Sequence, residues 1–276
     1  MPRKLPLVVE GDKDPELDYE AVRAEEEALR ASRLASALLP APAPINVSTL
    51  ETITGNLRAY AQLQPGTMLH VDELMHERRS NLALRDQTFY TADGALYFLQ
   101  GRTPTLAITR EKDNLVLRHL DDAFTQLTRT KNYRPDVQEA QQSIGAPETV
   151  LIDVTKLHLH GDDAEWRYLE ISTTNYNKLR PEERKLVERV YGQGNEFSAS
   201  MAMLKEAGIE ETKVYVLNPA YVQKEAVQGP LGRASWLNFF TIVSNFGASD
   251  RDVGGSGRLR GVRRESVGEM PAGGAL

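Results

Sequence analysis

Apolar and polar residues alternate differently along the chain, and the changes predict where helices and strands lie. Residues 15–39 are rich in Glu, Ala, Arg and Leu but carry only a thin apolar stripe, which predicts a weakly packed helix. The Pro-Ala alternation over 40–44 then predicts an extended spacer, because proline cannot continue a helix. We therefore expect 1–44 to form an N-terminal helix and a spacer outside the folded core.

The segment 45–145 has the pattern of a small antiparallel α+β unit. Ser48 and Glu51 have capping-box spacing, which predicts a helix that continues to Leu63. The dipeptide Asp93-Gly94 between two apolar segments predicts a tight hairpin turn. The expected strands are 81–92, 95–100, 105–109 and 114–118, and the expected helices are 119–130 and 135–144.

The pattern changes again in the segment 146–268. Pro181, with acidic residues directly after it, predicts the start of a helix. The expected helices are 181–191, 195–207 and a short one from Pro219, and the expected strands are 149–155, 166–171, 213–217 and 259–265. The Gly- and Pro-containing residues 269–276 predict a loose tail.

The segment 235–256 shows neither helical nor strand periodicity. Large apolar residues recur along it and are typical of core side chains; these anchors are Trp236, Leu237, Phe240 and Phe246. Chemically unrelated residues lie between the anchors: Asn238, Phe239, Thr241, Ile242, Val243, Asn245, Gly247, Ser249, Asp250, Asp252, Gly254, Gly255 and Ser256. The basic residues 258–264 that follow predict a solvated edge strand.

This C-terminal pattern resembles the variable region of diversity-generating retroelement variable proteins. The residues that carry the resemblance are Ala234, Ser235, Trp236, Leu237, Phe240, Ser244, Phe246, Ala248, Arg251, Val253, Gly257, Leu259, Arg260, Gly261, Val262, Arg263 and Arg264. In that family an error-prone reverse transcriptase randomises template adenines, so that AAC codons change to other codons ending in C. The residues between the anchors, and Arg258, all belong to this accessible set, and Lys, Glu, Gln, Met and Trp are absent from those positions.

The resemblance implies a C-type lectin-like domain over 146–268 at the C-terminus of an α+β chain. In such a domain the first and last strands pair, and the loops between them present a face whose side chains can change. The implied ligand-binding positions are the residues between the anchors named above together with Arg258, and the anchors are structural. The implied ligand is unknown and is expected to be a protein, and neither catalysis nor a cofactor is expected.

Composition narrows the possible functions further. The chain has 276 residues, no cysteine and a net charge of −6. The absence of cysteine excludes disulfides and thiolate metal sites, and the acidic balance argues against general nucleic-acid binding. No apolar segment is long enough for a signal peptide or a membrane span. We therefore expect a soluble protein of the cytoplasm or of a virion.

Two alternatives from other functional classes remain open. His158, His160 and Asp162 follow the H-x-H-x-D pattern of metal-dependent hydrolases, in which two histidines on one strand side ligate the metal. The other three histidines show no matching local pattern, which favours a solvated strand face followed by a turn. The second alternative is an interaction adaptor whose N-terminal helix, 16–39, docks on a partner.

Overall fold

The computed structural model describes residues 50–64, 66–85, 87–239, 244–250 and 257–263. At 239, 244, 245 and 248–250 only the backbone is described. The described residues belong to one compact unit that begins at Leu50. The predictions for 1–44 and for 269–276 lie outside them.

Strands and helices alternate along the described chain. The strands are β1 (Leu50–Gly55), β2 (Phe89–Gln100), β3 (Thr103–Thr109), β4 (Val150–Asp153), β5 (Leu159–His160), β6 (Trp166–Ser172), β7 (Glu211–Leu217), β8 (Leu231–Phe239), β9 (Ser244–Asp250) and β10 (Gly257–Val262). The α-helices are α1 (Val71–Ser80), α2 (Leu115–Arg118), α3 (Leu120–Thr130), α4 (Val137–Ile144), α5 (Pro181–Tyr191), α6 (Asn195–Glu206) and α7 (Pro219–Glu225). Helices predicted at 119–130, 135–144, 181–191 and 195–207 are confirmed.

The described strands form one ten-stranded sheet in the order β1-β10-β2-β8-β9-β7-β6-β5, with β3 also pairing with β2 and β4 pairing with β3. The pairs β10–β2 and β7–β9 are parallel, and the others are antiparallel. The last described strand therefore lies inside the sheet, between β1 and β2. The prediction of a solvated basic edge strand is wrong at Arg260, which is 9% exposed and donates from Nε to Glu77 Oε2 of α1 at 2.7 Å.

The sheet also changes two expectations about the first half of the chain. The helix predicted up to Leu63 is replaced by β1 and a 3₁₀ turn at Leu57–Gln62, because residues 50–55 pair with β10. Strands from 45–145 pair directly with strands from 146–268, since β2 adjoins β8 and β10. The expected division at residue 145 is therefore not a boundary between two sheets, and the closing strand pairs with β1 rather than with the strand at 149–155.

Two apolar clusters pack on the two sides of the sheet. One contains buried side chains of α1, α5 and α6 together with Phe89, Leu237 and Phe246. The other contains residues of β1 and α2 to α4 together with Tyr90 and Leu259. Because neighbouring strand residues point to opposite sides, Phe89 and Tyr90 belong to different clusters. Below, the side that carries Leu237 and Phe246 is called the helix face.

Asp93 and Gly94 lie within β2 and do not form the predicted hairpin turn. β2 continues through both residues, and the turn follows at Gly101, whose φ is +66°. The pairing with β8 shifts register between Tyr90 and Gly94, which marks a bulge. Gly94 is required by close packing, because a Cβ there would lie 2.6 Å from Thr109 Oγ1. The Asp-Gly dipeptide, which is typical of a turn, therefore lies here in a buried bulge of a central strand.

The strand predicted at 114–118 is also wrong. Asn114 caps α2 instead, since its Oδ1 accepts hydrogen bonds from the backbone N–H groups of Val116 and Leu117. Its Nδ2 donates to the carbonyl of Ala92 in β2 at 3.1 Å. One asparagine thus starts the helix and ties it to the bulge.

Candidate functional site

Alternate residues of β8 and β9 lie in different surroundings. Leu237 and Phe246 pair across the two strands, and each is 0% exposed on the helix face. Trp236 and Asn238, on the other side of β8, are half-buried. Strand alternation therefore places the predicted anchors Leu237 and Phe246 on the helix face and the predicted binding position Asn238 on the other side. The predicted anchor Trp236 lies on the same side as Asn238.

An aromatic row crosses five strands on that second side. Trp236, Gly247, Tyr215, Tyr168 and His160 are aligned by strand register from β8 to β5. Ring centroids lie 6.4 Å apart between Trp236 and Tyr215, 5.6 Å between Tyr215 and Tyr168, and 5.9 Å between Tyr168 and His160. The four rings are half-buried and Gly247 is buried. Such cross-strand aromatic pairs stabilise a sheet while leaving ring edges accessible.

A polar row runs beside the aromatic row. Asn238, Asn245, Lys213 and Glu170 are aligned by register across β8, β9, β7 and β6. Thr88 Oγ1 donates to Asn238 Oδ1 at 2.6 Å, and Lys213 Nζ lies 4.0 Å from a Glu170 carboxylate oxygen. Lys213 Nζ also lies 4.4 Å from the centroid of the Tyr168 ring. Together the aromatic row and the polar row are called the half-exposed face.

The half-exposed face brings together only some of the predicted binding positions. Asn238, Asn245 and Gly247 occupy adjacent positions in its two rows. Phe239 ends β8, and Ser249 and Asp250 lie in the backbone of β9. Seven predicted positions and one predicted anchor lie outside the described residues: Thr241, Ile242, Val243, Asp252, Gly254, Gly255, Ser256 and Phe240.

Arg258 does not share this face. It is half-buried in β10 and pairs with Phe89, a residue of the helix face. It also alternates with Leu259 and therefore lies on the same strand side as Arg260, which contacts α1. Arg258 is thus separated by the sheet from Trp236 and Asn238.

Two glycines of the C-terminal motif fit tightly against their neighbours. A Cβ at Gly257 would lie 2.6 Å from Tyr90 Cε2, and one at Gly261 would lie 2.6 Å from the backbone oxygen of Thr67. Neither glycine has a positive φ. Close packing, and not backbone conformation, therefore explains glycine at both motif positions.

The part of the half-exposed face contributed by β6 and β7 was not predicted from the sequence. Trp166 and Tyr168 on β6, and Lys213 and Tyr215 on β7, lie on it or at its margin, with Trp166 and Tyr215 rings 5.3 Å apart. In the two strands these residues alternate with residues of the opposite side, which include the buried Leu169, Val214 and Val216. Aromatic and charged residues that alternate with aliphatic ones in a strand were the signal that could have identified them.

A second concentration of polar groups lies on the helix-face side, around Asp93. This carboxylate is 0% exposed; it accepts from Val71 N–H at 2.7 Å and from Arg189 Nη2 at 3.1 Å, and His70 Nδ1 lies 3.4 Å away. Burial alone would raise the pKa of Asp93. The nearby His70 side chain, the charge of Arg189 and the Val71 N–H outweigh burial, so the pKa of Asp93 lies below the ordinary 3.8.

A cleft of about 510 Å³ opens beside Asp93 and carries both signs of charge. Asp72 and Arg110 form a bidentate pair across it, with N–O distances of 2.8 and 2.9 Å. Arg189 bonds Asp93, and Lys185 Nζ bonds Glu182 at 2.7 Å. Because each of these cations already has a carboxylate partner, the cleft is best explained as an ion-pair network that fixes α1 and α5 to the sheet.

The histidine pair of the hydrolase alternative lies at the end of the aromatic row. The rings of His158 and His160 are 4.8 Å apart, and Asp162 is exposed in the following loop. Among the described residues, no group of three or more His, Cys, Asp or Glu side chains is close enough to hold a metal ion. The further ligand that this alternative needs is therefore not found in that part of the chain.

Comparisons with known proteins agree with this geometry at the level of fold. No family model matches the chain, and no curated protein matches it. A solved structure described as "Accommodation of massive sequence variation in Nanoarchaeota by the C-type lectin fold" is similar over 78% of this chain and 96% of its own, with a TM-score of 0.52 and 14% identity. The chain has a C-type lectin fold.

The similarity is not limited to the C-terminal half of the chain. A match over 78% of the chain exceeds the segment 146–268 to which the lectin-like domain was assigned. The lectin fold therefore includes strands from the first half, consistent with the pairing of β1 with β10.

Within the described ranges, no helix is both long and apolar enough to cross a membrane.

Proposed function

We propose that this protein is a ligand-binding variable protein whose half-exposed face, together with the adjoining segment up to residue 256, recognises a protein target and is diversified by a retroelement. The observation that carries the proposal is the alternation in β8 and β9. Leu237 and Phe246 are fully buried, whereas Asn238 lies on the opposite, half-exposed side. Side chains on that side can change without leaving a cavity in the core.

The energetic consequence of this alternation supports diversification. Removing a large buried side chain costs about 2–5 kcal/mol, whereas most surface substitutions change stability by about 0.5 kcal/mol or less. Many different residues at Asn238 and its neighbours would therefore be compatible with one backbone. The similar solved structure, which concerns massive sequence variation on this fold, is consistent with this reading but shows only the fold.

The composition of the face supports a protein target. Four half-buried aromatic residues (Trp166, Tyr168, Tyr215 and Trp236) lie beside a row of amide and charged side chains. Tyr and Trp are enriched at protein interfaces, where a few such residues contribute most of the binding energy. The exchangeable polar positions would then determine which protein is bound.

Display of two libraries on the full chain tests the binding function. The first library randomises Asn238, Asn245 and Ser249, and the matched control randomises three exposed positions on α3 and α4: Thr128, Arg129 and Gln138. Both are selected against the same panel of purified folded proteins. We expect binders from the first library only. Equal yields from both libraries, or none from the first, would contradict the proposal.

Sequencing of the locus across a growing population tests the retroelement separately. We expect substitutions at adenine-templated codons within 238–258, with Leu237 and Phe246 unchanged, and a template repeat and a reverse transcriptase nearby. Evenly scattered substitutions without such a repeat would remove this part of the proposal.

A further inference from the structure

Gly247 lies beneath the indole ring of Trp236. The two residues pair directly across β8 and β9, and a Cβ built at Gly247 would lie 2.6 Å from Trp236 Cζ2 and closer still to Nε1 and Cε2. Non-bonded carbon atoms normally approach to about 3.5–4.0 Å. The ring therefore occupies the volume that any side chain at residue 247 would need.

The backbone at Gly247 does not itself require glycine. Gly247 is not among the described glycines with positive φ. Any L-residue could adopt its conformation, and the three atoms nearest to the built Cβ all belong to the indole, which is therefore the main obstacle to a side chain. An aromatic ring that covers a cross-strand glycine is a known way to stabilise such a site in a sheet.

The neighbouring Tyr90–Gly257 pair shows why the outcome should differ at Gly247. Tyr90 pairs with Trp236 across β2 and β8, and its ring covers Gly257 of β10 in the same manner. Tyr90 is 5% exposed and has no open side into which it could move, whereas Trp236 is half-buried and has solvent on its outer side. A clash at 257 must strain the core, but a clash at 247 can be relieved by rotation of the indole.

Residue 247 is also one of the positions predicted to vary, whereas Gly257 belongs to the fixed motif. We infer that residue 247 selects between two arrangements of the binding face, through the position of Trp236. With glycine, the indole lies flat over β9 and continues the aromatic row to Tyr215. With any other residue, the indole is displaced from the row and a different surface is presented. This inference rests on the proposed binding function but can be tested without a ligand.

The test uses a variant in which Trp236 is the only tryptophan. The sequence has two tryptophans, so Trp166→Phe isolates the Trp236 signal while keeping an aromatic ring next to Tyr215. In this background Gly247→Ala should shift the emission to longer wavelength, increase quenching by acrylamide, and remove the ring-current shifts that Tyr215 imposes on the indole protons. Gly145→Ala is the matched control, because its Cβ would meet its nearest neighbour at an ordinary 3.4 Å.

A second comparison keeps the test decisive if Gly247→Ala unfolds the chain. The double variant Trp236→Ala/Gly247→Ala should then fold as well as Trp236→Ala alone, because the clash has been removed. Gly257→Ala should destabilise the chain without changing the Trp236 emission. Unchanged emission and quenching in a folded Gly247→Ala variant, or a double variant that unfolds while Trp236→Ala is folded, would overturn the inference.

Binders obtained from the first library connect the inference to recognition. Each binder selected with Gly247 should lose about tenfold or more in affinity after Gly247→Ala, because an aromatic side chain that contacts the ligand is moved. Gly145→Ala should have no effect on affinity. A library that yields no binders would contradict the proposed function but leave the spectroscopic result intact. Binders whose affinity is unaffected by Gly247→Ala would contradict the role of residue 247 in recognition.

Discussion

The helix face and the half-exposed face are two sides of the same strands, and they use the same backbone in different ways. On the helix face, Leu237 and Phe246 pack against apolar side chains from α1, α5 and α6. On the half-exposed face, the rings of Trp236 and Tyr215 lie 6.4 Å apart and are half-buried, and Trp236 also packs against the apolar cluster that contains Tyr90. The first arrangement fixes the backbone, and under the proposed function the second leaves side chains that can be replaced.

The comparison shows how a fold can tolerate sequence change in its central sheet. Exchangeable residues need not be confined to loops if one side of a strand supplies the stability. The two faces should then differ in how strongly substitutions change the free energy of unfolding.

Phe246→Ala should have the largest effect. Phe246 is 0% exposed in the core of the helix face, and removing such a ring typically costs about 3–5 kcal/mol. The free energy of unfolding, measured by urea titration, should fall by that amount. If Asn238→Ala on the other side of the sheet reduced it equally, the two faces would not differ as described.

Asp93→Asn should be nearly as severe. The substitution keeps the shape of the side chain but leaves Arg189, which is 9% exposed, without its carboxylate partner. Removing one member of a buried ion pair costs about 3–5 kcal/mol. The exposed Glu196→Gln, which removes a carboxylate from the same cleft, is the matched control and should change stability by about 0.5 kcal/mol or less. Similar losses in both variants would argue against a structural role for the Asp93 centre.

The same centre predicts how stability depends on pH. Burial would raise the pKa of both Asp93 and Asp72, but hydrogen bonds and neighbouring cations hold both below the ordinary 3.8. A carboxylate whose pKa is lower when folded contributes stability above its unfolded pKa and loses it as the pH falls through the folded value. The melting temperature should therefore fall as the pH drops below about 4, near the unfolded aspartate pKa. Asp93→Asn should flatten this dependence, and an unchanged slope would be inconsistent with it.

Asn238→Ala should have a small effect on stability. It removes the 2.6 Å hydrogen bond from Thr88, and one such bond contributes about 0.5–1.5 kcal/mol. Thr88→Val removes the same bond from the other partner, and the double variant should lose no more than the larger single loss. Additive losses in the double variant would show that the two side chains act independently.

Lys213→Met should have the smallest effect. The ammonium contacts Glu170 at 4.0 Å and the Tyr168 ring at 4.4 Å, and partly exposed contacts of these kinds contribute about 0.5–1 kcal/mol at most. The melting temperature should be nearly unchanged, and any loss should shrink further in high salt. A loss as large as that of Phe246→Ala would mean that the half-exposed face supports the core.

Local signals predicted much of the fold. The proline and acidic residues at 181–183 correctly predicted the start of α5, and the spaced large residues correctly predicted Leu237 and Phe246 as buried. These elements depend on neighbours in sequence or on hydrophobic burial, and both are visible in a single chain.

The failures occurred where distant parts of the chain override a local preference. The capping-box signal at Ser48 was overridden because residues 50–55 pair with 257–262. The turn signal at Asp93-Gly94 was overridden because His70 and Arg189, both distant in sequence, surround Asp93. The part of the half-exposed face on β6 and β7 was missed because only strand register places Tyr168 and Tyr215 in one row with Trp236.

The position of β10 has a consequence for translation of a diversified gene. Among the described strands β1 pairs only with β10, which also lies against β2, although β10 is synthesised last. A stop codon or frameshift introduced within 238–256 would therefore leave β1 without a partner and expose an edge of β2. Such products should fail to complete the sheet and be degraded. If the segment is diversified as proposed, the protein displays only those new sequences that preserve its reading frame.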